Sequence, residues 1–174
     1  MKLIFLVSCL LFSTMMMAQE NNTAKVPGRM GFYAELGGPG ILFSANIDGR
    51  FTKSQLGLGG RIGIGFVTID RYDYFSGYSD MKSVVTLPLQ LNYIFGKSNS
   101  VHSFEVGAGV TITGKKISIF NYDNKDSSSI YGTASFMYRR QPKDGGFSWR
   151  VGFTPIITNG YIQPSGAVSV GYNF

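Results

Sequence analysis

The sequence predicts an all-β chain, an eight-stranded antiparallel up-and-down transmembrane β-barrel over Met30–Phe174. Three observations carry that prediction. Eight stretches alternate apolar with small polar residues, the polar face is too small and too uncharged to meet water, and aromatics gather towards strand ends. Composition agrees: of 174 residues only 15% are charged, 14% are aromatic and 23 are glycine, about twice the usual glycine share. That length suits one domain.

Met1–Ala18 reads as a secretory signal. Lys2 supplies the charged start, Leu3–Phe12 the apolar run, and Met16-Met17-Ala18 the cleavage site, with cleavage expected between Ala18 and Gln19. The run is too short to cross a bilayer as a helix. Leu6-Val7-Ser8-Cys9 resembles a lipoprotein box, but the new amino terminus would begin Leu10-Leu11-Phe12 directly after it. Cys9 is the single cysteine, so the mature chain is expected to hold no disulfide, thiolate metal site or cysteine nucleophile. Gln19–Arg29 is polar and featureless, and a flexible lead-in is expected there.

The strands are expected at Met30–Leu36, Ile41–Phe51, Leu56–Thr68, Ser83–Phe95, His102–Thr113, Ile130–Arg140, Phe147–Ile156 and Ala167–Phe174. Most are close to the 9–11 residues that a tilted strand needs to cross a bilayer. The fourth alternates most cleanly. Val85, Leu87, Leu89, Leu91, Tyr93 and Phe95 share one face, with Thr86, Gln90 and Asn92 on the other. Pro88 cannot donate to a ladder, so a local bulge is expected there. In the fifth, Phe104, Val106, Ala108, Val110 and Ile112 oppose Ser103, Glu105, Gly107, Gly109, Thr111 and Thr113. The last strand places Val168, Val170, Tyr172 and Phe174 against Ala167, Ser169, Gly171 and Asn173.

Alternation alone leaves open which face points inward. A soluble carrier barrel would coat its outside with Lys and Glu, whereas the polar face here is mostly Gly, Ser, Thr and Asn. Those sizes fit a narrow lumen and place the apolar face against lipid. Loop lengths support this. Thr52–Gln55, Gly96–Val101 and Gln141–Gly146 are short, while Ile69–Lys82, Gly114–Ser129 and Ile157–Gly166 are long; Gly37–Gly40 alone is short on that second side. Short periplasmic turns and long outer loops are the pattern of bacterial barrels. Outward aromatics form two belts. Phe32, Phe51, Tyr93, Phe95, Phe104, Tyr138, Phe147, Trp149, Tyr172 and Phe174 lie towards the periplasmic ends, with Phe43, Phe66 and Phe153 towards the other.

With this pattern, loop asymmetry and the ending Tyr172-Asn173-Phe174, Met30–Phe174 resembles the small eight-stranded outer-membrane barrels of Gram-negative bacteria, the OmpA-transmembrane-domain and OmpX-like group. The resemblance implies an outer-membrane location, lipid and lipopolysaccharide as surroundings, and a monomer. It also implies recognition of Tyr172 and Phe174 by the barrel-assembly machinery. No peptidoglycan-binding domain is expected after the barrel. Such a fold specifies shape far better than activity.

The inward parity holds Glu35, Asp48, Arg50, Arg61, Glu105, Arg139 and Arg150. Buried charges must pair, so the first reading is a charge-paired plug that rigidifies the barrel, and the alternative is a gated polar or proton path. Glycines 57, 59, 63, 65, 107 and 109 would leave room for the arginines. His102, the single histidine, sits at the periplasmic end, away from the outer rim where related lipid-modifying enzymes carry a Ser–His pair. The glycine run Gly57–Gly65 lacks phosphate-loop spacing, and Asp123-Asn124-Lys125-Asp126 lacks the Gly and Glu of a calcium loop. No cofactor is expected. The net charge of +6 is scattered, which argues against nucleic acid. The loop bearing Tyr72, Tyr74, Phe75 and Tyr78 is a candidate surface-binding patch, and Lys82, Lys115 and Lys116 are candidates for lipid phosphates. The function expected is a non-enzymatic structural or surface-interaction role. A small-solute or ion pore and a lipid-modifying enzyme are the alternatives.

Overall fold

The computed structural model of the chain describes residues 28–73, 78–117, 127–158 and 161–174. Ala18, Gln19, Tyr74, Phe75 and the Asp123–Asp126 run lie outside them. The described strands are β1 (Met30–Gly37), β2 (Phe43–Arg50), β3 (Gly57–Asp73), β4 (Tyr78–Gly96), β5 (His102–Ile117), β6 (Ser128–Arg140), β7 (Gly146–Phe153), β8 (Ile156–Thr158), β9 (Tyr161–Gln163) and β10 (Gly166–Asn173). Each strand pairs antiparallel with its neighbours around the wall, with β10 lying between β7 and β1, and β5 pairing with β6 completes a continuous ring.

These ten segments make eight staves. β6 faces β7 and β8 in one register: Phe136 pairs with Phe153 and Gly132 with Ile157. On the other side Phe153 pairs with Gly166 and Ile156 with Gln163. That register sets Pro155 opposite Pro164. Neither proline has an N–H to give, so both strands lose their ladder at the same height. The backbone bond from Thr154 to the Ser165 carbonyl, 2.7 Å, carries the pairing across the gap. The predicted single strand Phe147–Ile156 is therefore interrupted, and the eighth stave begins earlier than Ala167.

Pro88 does not produce the expected bulge. β3 and β4 hold the same register on either side of it, with Ile62 opposite Leu89 and Gly65 opposite Thr86. Only the pairing around Pro88 drops out, because losing one donor costs less than shifting every side chain to the wrong face. A register shift does occur between β5 and β6, between Ile112 and Ile117.

The long outer loops are also corrected. β3, β4 and β5 run for 17, 19 and 16 residues, longer than a bilayer crossing requires. Much of Ile69–Lys82 and part of Gly114–Ser129 is thus paired strand. Backbone groups in a hairpin satisfy each other whether or not lipid surrounds them.

Side chains on the outer wall are apolar: Phe32, Leu36, Ile62, Leu91, Phe104 and Val168 are all exposed, Leu36 to 63%. Aromatics cluster towards the end where Met30 bonds to Phe174, with ring centroids 4.5 Å apart for Tyr93–Phe95 and 5.4 Å for Tyr138–Trp149. At the far end Phe43 and Phe66 pair at 5.6 Å. Gly28 is buried and its carbonyl accepts from Gln141 Nε2 at 2.9 Å, so the chain is tied across the terminal end before β1 begins.

Candidate functional site: the charged lumen and its closed mouth

Alternation decides what fills the barrel. Each strand sends every second side chain inward, and an eight-stranded ring is just wide enough for those side chains to fill it. Glu35, Asp48, Arg50, Arg61, Glu105, Arg139 and Arg150 all point inward and are buried. The structure brings the seven into one network. Arg61 bonds Glu35 at 3.0 Å and Gln90 at 2.5 Å, and lies 3.6 Å from Glu105. Arg139 bridges Asp48 at 2.7 Å and Glu105 at 3.0 Å. Arg150 donates through Nε to Ser169 at 2.9 Å and through Nη1 to Glu105 at 3.3 Å. Arg50 pairs with Asp48 and donates to Asn92 at 2.7 Å and to the Gly57 carbonyl at 3.1 Å.

Arg139 and Arg150 face each other directly across β6 and β7. Like charges in that position repel. Glu105 answers both, and Asp48 lies 2.7 Å from Arg139 and 4.0 Å from Arg150. Ionised groups this deep persist only when paired and hydrogen-bonded. Asn92 adds to the frame by donating to Asp48 at 3.2 Å and to Glu105 at 3.1 Å. Gly59 and Gly109 make the space: a Cβ on the first would strike the Arg50 guanidinium, and on the second Gln90 and the Leu89 carbonyl.

Tyr33 is the inward residue that charge alone does not find. It is 4% exposed, with Arg150 Cζ 3.3 Å and Arg61 Cζ 5.6 Å from its ring centroid, a double cation–π arrangement. Its signal in the sequence is parity: Tyr33 sits two residues before Glu35 and must share its face. Gln90 and Asn92 are legible in the same way as members of the polar face.

The far mouth is closed by apolar packing. Val84, Ile117, Tyr131 and Ile156 are buried together, with Ile41 and Val67 against them. The β1–β2 connection folds into the mouth as a 3-10 turn, η1 (Gly38–Gly40), and all three residues are buried. Its carbonyls accept from the lumen wall, Pro39 from Thr111 at 2.6 Å and Gly40 from Thr86 at 3.1 Å. Ile41 then takes φ 76°, ψ −68°, the strained γ-turn that a β-branched residue rarely adopts. The Leu42 N–H to Gly40 carbonyl bond, 3.1 Å, closes that turn. The sequence shows Gly37–Gly40 only as a short turn. Its insertion into the barrel depends on contacts from β4, β5 and β6 that local pattern does not contain.

The remaining candidates lie apart from the lumen. His102 begins β5 on the outside, and its Nδ1 lies within hydrogen-bond distance of the Tyr138 hydroxyl. Tyr72 and Tyr78 sit on the facing ends of β3 and β4. Tyr172 and Phe174 are exposed on the outer face at the terminal end, and Lys82, Lys115 and Lys116 are exposed near the far end. Among the described residues no group of three His, Cys, Asp or Glu side chains is placed to hold a metal.

The fold is similar to the crystal structure of the N-terminal β-barrel domain of Pseudomonas aeruginosa OprF, with a TM-score of 0.54 and 13% identity over 85% of this chain and 99% of that one. The chain has the closed eight-stranded antiparallel barrel fold of that domain, which is the fold its sequence resemblance implies. No family model and no curated protein sequence matches the chain.

Proposed function

We propose that this chain is a monomeric outer-membrane β-barrel with a non-enzymatic structural or surface-interaction role, and that its lumen passes no solute. One observation carries the reading: an apolar outer wall surrounds a lumen locked by seven ion-paired side chains and shut at the far mouth by η1 and the Ile41–Tyr131 packing. An apolar surface of this extent belongs against hydrocarbon. The expected secretory signal ending at Ala18 and the outward Tyr172 and Phe174 support export and insertion by the barrel-assembly machinery. Lys82, Lys115 and Lys116 would then meet lipopolysaccharide phosphates. The strand-borne Tyr72 and Tyr78, with Tyr74 and Phe75 between them, would present the patch for an extracellular partner.

Fractionation of expressing cells tests the location, with heat-modifiable gel mobility as the sign of a folded barrel. The expected result is an outer-membrane band that shifts on boiling; a band in the soluble fraction would sink the reading. In planar bilayers the purified protein should give no conductance steps, and regular steps would turn the plug into a pore. Deleting Arg71–Tyr78 should abolish cell-surface binding, and unchanged binding would dispose of the patch.

A further inference from the structure

Among the described residues the lumen holds four guanidinium groups, Arg50, Arg61, Arg139 and Arg150, against three carboxylates, Glu35, Asp48 and Glu105. One positive charge is left over. Its location follows from how the carboxylates are shared. Glu35 serves Arg61, and Asp48 serves Arg50 and Arg139. Arg150 has no carboxylate of its own: it shares Glu105 with Arg139 and stands 4.0 Å from Asp48.

Of the five buried side-chain donors without a partner among the described residues, three belong to Tyr33 and the two arginines against its ring; the other two are Arg139 Nε and Asn173 Nδ2. Arg150 Nη2, Arg61 Nε and the Tyr33 hydroxyl are unpartnered although their residues are 3%, 4% and 4% exposed. Both guanidiniums lie against the Tyr33 ring, at 3.3 Å and 5.6 Å. The carboxylate oxygens nearby are already engaged by arginines or by Asn92. We propose that the lumen binds one small monovalent inorganic anion of the halide class beside Tyr33, between Arg61 and Arg150.

Two considerations select that ligand. A halide only accepts hydrogen bonds, and the unpartnered set is rich in donors; its single pure acceptor, Asn46 Oδ1, belongs to β2. Water would satisfy these donors too, with the Tyr33 oxygen accepting in return, but it leaves the surplus positive charge unanswered. Size and charge exclude larger anions. A ring of eight strands has little room beyond its side chains, and a dianion would overshoot the one surplus charge. The anion would enter during folding, since η1 and the packed mouth close the far end.

The test uses the full chain refolded into detergent in sodium bromide, sodium chloride or sodium gluconate at one ionic strength. Bromide and chloride should raise the melting temperature saturably over gluconate. Crystals grown in bromide should show an anomalous peak beside Tyr33 and Arg150. Tyr33→Phe keeps the ring but removes one donor, and should weaken the halide midpoint about tenfold, the worth of one hydrogen bond to a charged group. Identical melting in all three salts with no anomalous peak would overturn the proposal. So would a halide effect that Tyr33→Phe leaves unchanged with no density at the site, since that is a surface ion effect. The wild-type map decides the matter even if the variant fails to fold.

Discussion

Arg61 holds Glu35 at 3.0 Å with both side chains buried. Removing one partner of such a pair strands the other charge, which costs roughly 3–5 kcal/mol. Arg61→Ala should therefore lower the melting temperature clearly in detergent, and an unchanged value would remove Arg61 from the plug. Gly37 presents a different kind of constraint. Its φ of 72° and ψ of −150° lie in a region open only to glycine, and a Cβ there would run into the Gly166 carbonyl. Gly37→Ala should destabilise by roughly 1–3 kcal/mol from backbone strain alone, read as the loss of unfolding free energy in urea. A neutral result would show that the β1–β2 connection adopts another path.

Two hydroxyl groups tie that connection to the lumen wall. Thr86 and Thr111 donate to the Gly40 and Pro39 carbonyls. Replacing both by valine should cost about 1 kcal/mol each and expose the amides of Gly37–Leu42 to faster hydrogen exchange. Unaltered protection would mean that apolar packing around Ile41 holds η1 alone. Strand identity was legible because alternation depends only on neighbours in sequence and on which face is buried. Strand ends were not: β3 and β4 run on to Asp73 and back from Tyr78 by pairing with each other. The twin interruption at Pro155 and Pro164 is visible in hindsight as two prolines, but only the register shows that they face one another.

Parity likewise placed all seven lumen charges inside, whereas their partners depend on side-chain reach across the barrel. Arg139 reaches Asp48 over 91 residues of sequence, a separation that no local pattern encodes. Tyr33 carries no charge, so the pattern that marks the seven ionic residues does not mark it. The inward apolar cluster of Val84, Ile117, Tyr131 and Ile156 departs from the pattern in the converse way: a rule that sends oily residues outward fails where a lumen must be sealed.

For the barrel as a whole, everything rests on what surrounds the outer wall. Leu91 is 59% exposed on the apolar outer face of β4. Leu91→Arg should cost roughly 2–4 kcal/mol in a bilayer and close to nothing if the wall faces water. Refolding equilibria in lipid vesicles separate the two. Trp149 offers the most direct reading, being the single tryptophan and lying half-buried on the outer face near the terminal end. Protein refolded into vesicles of lipids brominated along their chains should lose Trp149 fluorescence, most strongly when bromine sits nearest the headgroup. Equal emission from brominated and plain vesicles would show that no hydrocarbon touches this wall, and the account would fail.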